Sequence, residues 1–525
     1  MTKLSKTNEL LLYPANRDKY DSHSVQSILS YAARLQGLTF EEILYRNGLN
    51  EDDIDYLRNQ SMSNKGLLGI LIEEAWFGYP ANSKQGADFS ETGVELKSTP
   101  YEGDGNDIRP GETLSLTQIN YKLPQEPDFY KSHAWEKMQK ILVVYYKRQR
   151  ALAEERHSKL FYPIDFVFML KPDEKDLAII EADYKLLNGF MMRGEADKLS
   201  RTHGQYLGVA PKSGKKEYVP QYYGNHVPAL KRGFVLKIPY LTFVLQRAAG
   251  IIEDVGGTII KDISELKEKT LADIVYERVQ RFVGMDINDI WNQVKREDEV
   301  GLPSAKNEDA VVSCRMLGVT NNRVEEFVKA GILPKVIKFR KDKNKNQQFR
   351  LEDINLIELA NEEPDVQSDC FDDEMRHGWE ASKLFSCLAD RQYLFMVFWD
   401  TDRGRIFKGC QLWGIPDKDL EVVHQAWIKT KEILEDGIQF SFNYDKNGKL
   451  SVSNNLPGIA DNGVFHIRPH ANQSFYVIDG KTYGNGTLTD TDLLPNGNRM
   501  TKQAYWLNRS YVESQLRPEL VMEYK

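Results

Sequence analysis

Two stretches of this chain answer each other in the same order, and any fold proposed for it must accommodate that repetition. HAWEKMQKILVVYY (residues 133–146) is matched by HGWEASKLFSCLADRQYLFMVFW (377–399), each a Trp-Glu helix start followed by an apolar strand. LKPDEKDLAII, from Leu170, is matched by GIPDKDLEVV, from Gly414. LGVAPK (207–212) and FHIRPH (465–470) each place Pro and a basic residue after a short strand, and FVLKIPYLTFVLQR answers YWLNRSYVESQL. Identity is low, but a shared order of several segments indicates one unit present twice. The length of 525 residues leaves room for two domains of ordinary size.

Each unit reads as α/β (α+β), a mixed sheet flanked by helices. Apolar residues recur at helical spacing over residues 24–35 and 40–45. Leu68, Leu71, Ile72, Ala75 and Trp76 form a stronger helical stripe that stops at Gly78. Residues 93–99 alternate as a strand, and 141–146 and 161–170 read as buried strands. Residues 261–300 are charged and helical in pattern. The expected layout is therefore a first domain over 1–265, a helical linker over 266–300 and a second domain over 301–525.

Composition narrows the function classes. No apolar run reaches membrane-spanning length, and the polar-interrupted start does not read as a secretory signal. Cys314, Cys370, Cys387 and Cys410 are scattered without a C-x-x-C pair, as expected of reduced thiols in a cytoplasmic protein. The net charge of −8 counts against a general nucleic-acid binder, although net charge does not report what lines a cleft.

The chemistry concentrates in ADFSETGVELKS. Asp88, Glu95 and Lys97 form D-x6-E-x-K. On a strand Glu95 and Lys97 share a face while Val94 and Leu96 take the other. Two carboxylates suit a hard cation such as Mg2+, which activates water on a phosphodiester, and a neighbouring Lys can orient that water. Glu73, on the preceding helix, can supply a third carboxylate. Alone the pattern also describes a solvated strand edge with paired charges. The order of amphipathic helix, Gly turn, Asp and alternating strand favours catalysis.

These residues carry a resemblance. KGLLGILIEEAWFGYPANSKQGADFSETGVELKSTP resembles the core of the MutH family of endonucleases, with Lys65-Gly66, Glu73, Gly78, Ser83-Lys84, Asp88 and residues 93–97 at MutH-like spacing. SHAWEKMQKIL resembles the next MutH segment and brings in Lys137 as a further active-site lysine. The whole chain is similar to the larger, Sau-type GATC-cutting restriction endonucleases, most specifically over residues 65–100 and 463–512. The resemblance implies two tandem MutH-like restriction-endonuclease-fold domains, the first catalytic and the second binding an effector copy of the site. It implies a Mg2+-dependent enzyme that cuts double-stranded DNA before the G of GATC, leaves 5′ overhangs, dimerises on its palindromic site and shares its cell with a cognate methyltransferase. A MutH-like nicking repair enzyme and a catalytically dead GATC-binding regulator are the alternatives.

The second domain tests this expectation. If FVKAGILPKVIKF parallels ADFSETGVELKST, Lys335 takes the Lys97 place, Leu333 the Glu95 place and Ser313 the Glu73 place. Leu and Ser cannot hold a metal, so this copy is expected to keep only DNA binding. The basic run KFRKDKNKNQQFR is either a phosphate-tracking loop or a solvated hairpin. By the resemblance, DNA contacts come from Pro211, Lys212, Lys215 and Lys237 in the first domain, where Ala210 replaces a family Arg. In the second they come from Arg468, Pro469 and His470, the Arg being suited to a guanine edge unless a local carboxylate holds it. Val235 stands where the family has a methyl-sensing Tyr, so weak discrimination of adenine methylation is expected.

Overall fold

A computed structural model describes residues 19–64, 66–79, 86–212, 217–224, 227–252, 255–303, 308–321, 323–362, 378–444 and 450–523. The α/β reading holds. In the first half, β1 (Glu95–Glu102) runs parallel to β3 (Ile141–Lys147), which pairs antiparallel with β4 (Ile164–Leu170). A second, antiparallel sheet joins β2 (Leu114–Gln118), β6 (Arg232–Leu236) and β5 (Leu207–Pro211) in the order β2-β6-β5. Helices α1 (His133–Met138), α2 (Glu174–Met192) and α3 (Ile238–Ala248) complete the unit.

The second half repeats this element for element. β7 (Ile332–Phe339) is parallel to β9 (Gln392–Thr401), and β9 is antiparallel to β10 (Gly404–Trp413). β8 (Phe349–Ile354), β12 (Gln503–Leu507) and β11 (Phe465–Pro469) form the antiparallel sheet in the order β8-β12-β11. Its helices are α4 (Lys383–Ala389), α5 (Asp417–Asp436) and α6 (Arg509–Gln515).

Two details of the sequence reading shift. The Trp379-Glu380 pair does not start a helix. It lies in the 3-10 turn Gly378–Ala381, and α4 begins after Ser382, whose side chain accepts from the Phe385 N–H. The corresponding cap in the first half is Ser132, accepting from the Trp135 N–H, so Phe385 stands at the Trp135 place. Counted from these caps, Cys387 occupies the Lys137 place.

The helical segment 266–300 is likewise more than a connector. Gly37 donates to the Ile164 carbonyl at 2.8 Å, and Gly284 donates to the Phe407 carbonyl at 2.8 Å. Thr39 bridges Pro163 as Asp286 bridges Ile406. Both glycines adopt positive φ, +83° and +87°, which turns the chain from one helix into the next at little steric cost. Helices Leu271–Gln280 and Ile287–Val294 are thus the counterparts of Val25–Ala32 and Phe40–Arg46.

β3 and β9 are buried on both faces, which explains their unbroken apolar runs. Leu142, Val144 and Tyr146 join the N-terminal helices, whereas Ile141, Val143 and Tyr145 enter a central core. That core continues through Leu271, Ile290 and Phe327 to Leu394, Met396 and Phe398 under the second copy's sheet. The two copies therefore share apolar packing.

A buried ion network crosses the same seam. Lys329 is 1% exposed and donates to Asp176 at 2.6 Å and Glu325 at 2.7 Å. Burial raises the Asp176 carboxyl to about 6 even though Lys329 opposes the shift. Removing one partner of a buried pair leaves the other charge uncompensated. Lys329→Met is therefore expected to cost about 3 to 5 kcal/mol of stability. Urea denaturation measures this, and a loss below roughly 1 kcal/mol, the range of exposed pairs, would mean that the network does not hold the seam.

Candidate active site

Glu95 and Lys97 enter the site as neighbours on one face of β1. The parallel pairing of Glu95 with Ile141 sets α1 directly before the partner strand and so delivers Lys137. Glu95 is 2% exposed. Lys97 Nζ lies 3.0 Å from its Oε1, and Lys137 Nζ lies 2.9 Å from its Oε2. Lys137 also donates to the Gly86 carbonyl at 2.7 Å. A buried carboxylate stays charged only when it is paired, and these two ammonium groups provide the pairing.

Asp88 is anchored by its backbone surroundings: its Oδ2 accepts from the Leu96 N–H at 2.8 Å. Burial, and then the charge of Glu95, push its carboxyl upward. Glu73 sits on a helix that widens into π turns over Leu71–Trp76, a form that often marks functional positions. Burial, followed by repulsion from Asp88, raises Glu73 to about 7, against an ordinary 4.5. Three carboxylates that destabilise one another's charge form a hard-oxygen donor set, and a divalent cation would relieve that repulsion. The structure brings Glu73, Asp88, Glu95, Lys97 and Lys137 near one another.

Among the described residues, the one trio of carboxylates with oxygens all within 4.8 Å of one another is a different set, Asp173, Asp176 and Glu325 at the seam. Lys329 already satisfies it. The candidate metal ligands are spread more widely, and the two lysines occupy Glu95.

One neighbour gave no signal in the sequence. The Tyr79 N–H donates to the Glu73 carbonyl at 3.2 Å, and its ring packs 5.4 Å from that of Phe89, next to Asp88. Its hydroxyl is buried and has no hydrogen-bond partner among the described residues. Burial, then Asp88 and Glu73, hold the phenol well above its usual range, so it remains a donor beside the carboxylates.

The residues expected to touch DNA are dispersed in character. Pro211 is exposed at the end of β5, opposite Arg232. Lys212 Nζ contacts Ser115 Oγ, and its stem crosses Gly233, where a Cβ would fall 2.5 Å from Lys212 Cε. Lys237 is buried and donates to the Gly204 carbonyl at 3.1 Å, with burial lowering it to about 8, so its ammonium braces a loop and does not reach the surface. Val235 is also buried. Lys215 lies outside the described residues, as do Lys65, Ser83, Lys84, Cys370 and His377. In the second copy Arg468, Pro469 and His470 are exposed, Arg468 lies 5.0 Å over the Trp506 ring, and His470 Nδ1 is 3.1 Å from Asp353. Strand register equates Arg468 with Ala210 and Pro469 with Pro211.

The second copy's counterpart of the site lacks the carboxylates of Glu73 and Glu95. Leu333 pairs with Tyr393 as Glu95 pairs with Ile141, and Lys335 pairs with Phe395 as Lys97 pairs with Val143. Ser313 is buried, its hydroxyl on the Asp309 carbonyl. Glu326 stands at the Asp88 place, but Pro334 replaces Leu96 and has no N–H to offer. Its carboxylate instead accepts from the N–H groups of Ile259 at 3.1 Å and Ile260 at 3.3 Å.

Residues 77–183 match the family model described as DNA mismatch repair enzyme MutH. The chain is 27% identical over 478 residues to the type II restriction enzyme Sau3AI of Staphylococcus aureus, a match covering 86% of this chain and 92% of that protein. It is 27% identical over 233 residues to the DNA mismatch repair protein MutH of Vibrio campbellii, covering 43% of this chain and 95% of that protein. The MutH of Shigella flexneri is 26% identical over 227 residues, covering 42% and 92% respectively. The first relative spans both copies, whereas the two MutH proteins have the length of one.

The raised Glu73 carboxyl has a thermodynamic consequence. Between its ordinary 4.5 and about 7, the folded metal-free chain holds a proton that the unfolded chain releases. This contribution to stability is greatest at low pH and falls as pH rises through that window, by on the order of 3 kcal/mol at most. Glu73→Gln is expected to flatten the decline. The check is the difference in urea midpoint between pH 5 and pH 8 for the two metal-free proteins; equal differences would place Glu73 in an ordinary carboxylate environment.

Proposed function

We propose that this chain, a Sau-type MutH-like enzyme, is a site-specific deoxyribonuclease that hydrolyses both strands of double-stranded DNA at GATC with Mg2+. The observation that carries the reading is Glu95, buried between Lys97 and Lys137 beside Asp88 and Glu73. Glu73, Asp88 and Glu95 would hold the cation. Bound there, it would supply Lewis-acid stabilisation of the phosphate and a more acidic water. Lys137 and Lys97 pair with Glu95 and keep its carboxylate correctly turned. Lys97, the more exposed of the two, can also orient the attacking water by hydrogen bonding and offset charge developing on the phosphate. The arrangement is that of a hydrolase needing no covalent intermediate.

One chain supplies one such site, and a palindrome cut on both strands needs two related by a two-fold axis. We therefore propose that the chain dimerises on DNA. The second copy, lacking metal ligands but presenting Arg468 and Pro469, would bind a second GATC and raise activity at the first, a coupling free energy between two sites. A cytoplasmic location and a cognate methyltransferase in the same cell belong to this proposal. No helix among the described residues is long and apolar enough to cross a membrane. A plasmid digest in Mg2+ separates the readings: linear fragments support it, nicked circles favour a strand-nicking repair enzyme, and uncut but shifted DNA favours a regulator.

Asp88→Ala and Glu95→Ala are each expected to abolish cleavage while leaving GATC duplex binding measurable, since the carboxylates lie apart from the base-reading loops. Near-normal cutting by Asp88→Ala would contradict the site. Full-length enzyme is expected to cut a two-site plasmid faster than a one-site plasmid, and Arg468→Ala to narrow that ratio. Equal rates on both plasmids would contradict effector coupling.

A further inference from the structure

In the second copy, the region that corresponds to the active site lacks counterparts of Glu73 and Glu95 and gathers three cations, Lys335, Arg350 and Arg391. Lys335 occupies the Lys97 place on β7, with Leu333 at the Glu95 place. Arg350 enters from β8, where register puts it opposite Trp506 as Ser115 stands opposite Val235 in the first copy. Arg391 enters from the two residues by which the turn before β9 is longer than its counterpart. Glu352 is the carboxylate among them; it accepts from Arg391 at 2.9 Å and from the Cys387 thiol at 2.7 Å. Arg350 pairs at its outer end with Asp353 at 2.5 Å, while its Nε is buried without a partner.

Lys335 is the least satisfied of the three. Its stem lies against Phe349, with Nζ 5.9 Å from the ring centre, and no hydrogen bond or ion pair reaches it among the described residues. Burial lowers its ammonium first, followed by the charges of Arg350 and Arg391. A folded chain that sets three cations, Lys335, Arg350 and Arg391, against two carboxylates, Glu352 and Asp353, keeps an unmatched positive charge that an anion would balance. The pocket is partly open, as Leu333, Lys335, Arg350, Glu352 and Arg391 are all half-buried. The anion must be one whose oxygens accept several donors at once. It must also be one that the fold already brings to this position, and in the first copy that position faces the phosphate to be hydrolysed.

We propose that Lys335, Arg350 and Arg391 hold a backbone phosphate of the effector DNA directly, without a metal. The inference rests on the reading of the second copy as a DNA-binding domain. It adds that this copy's lost active site remains its phosphate anchor, with side-chain cations where the first copy would place a divalent ion.

The test is a calorimetric titration of the full chain with a GATC duplex in buffer containing EDTA, over a series of salt concentrations. Wild type is expected to bind two duplexes per chain. Lys335→Met keeps the apolar stem over Phe349 and is expected to leave one binding event unchanged and weaken the other. The salt dependence of the weakened event should be shallower by about 0.9 in log–log slope, the loss of one phosphate contact. Lys335→Arg is expected to restore it. The melting temperature of the DNA-free Lys335→Met protein should match or exceed that of wild type, because a repelled cation is gone; this separates lost binding from lost folding. Two unshifted events in Lys335→Met would overturn the pocket. A single event in wild type would overturn the two-site reading, and the pocket with it.

Discussion

The site depends on one ion-pair arrangement, Glu95 held between Lys97 and Lys137. Glu95 is almost wholly buried, and burying a carboxylate is costly unless it is paired. Lys97 comes from the same strand, two residues on. Lys137 comes from the helix that precedes the neighbouring parallel strand, and it reaches Glu95 only because that strand is parallel and in this register. The two-sided burial of β3, the cap at Ser132 and the Glu95–Ile141 pairing can thus all be read as conditions for holding a single ion pair in place.

The second copy shows how little of that scaffold the chemistry needs. The sheet order, the parallel pair, the capped helix and the glycine turn at Gly284 all persist. Among the differences are Leu333, Ser313 and Cys387 in place of Glu95, Glu73 and Lys137. Pro334 completes the loss by removing the N–H that anchors Asp88 in the first copy. Glu326 is then free to serve the seam between the copies, where it binds backbone groups of residues 259 and 260.

Much of this was legible in the chain. The alternation of residues 93–99 gave the strand and its shared face, and the spacing of Asp88, Glu95 and Lys97 gave the cluster, because strand periodicity is a local property; Lys137 came from the resemblance to MutH. The equivalence of Lys335 with Lys97 also followed from local spacing and agrees with the strand register. Properties set by distant partners were not legible. The helices of 271–294 read as a connector, and what relates them to the helices before β1 is the pair of backbone hydrogen bonds that Gly284 and Met285, between them, make with Phe407. Trp379-Glu380 resembled a helix start, but Ser382 is the residue that caps. The burial of Lys237 depends on the loop carrying Gly204, and the place of Tyr79 depends on a π turn that no periodicity announces.

The central claim is that the divalent ion belongs to the first copy and to Glu95. Electron paramagnetic resonance of Mn2+ titrated into the full chain tests it most directly. The account predicts site-bound Mn2+ in wild type and its loss in Glu95→Gln, which keeps the size of the side chain but not its charge. Undiminished site-bound Mn2+ in Glu95→Gln would contradict the account, because the metal would then lie elsewhere, at the Asp173–Asp176–Glu325 trio or in the second copy.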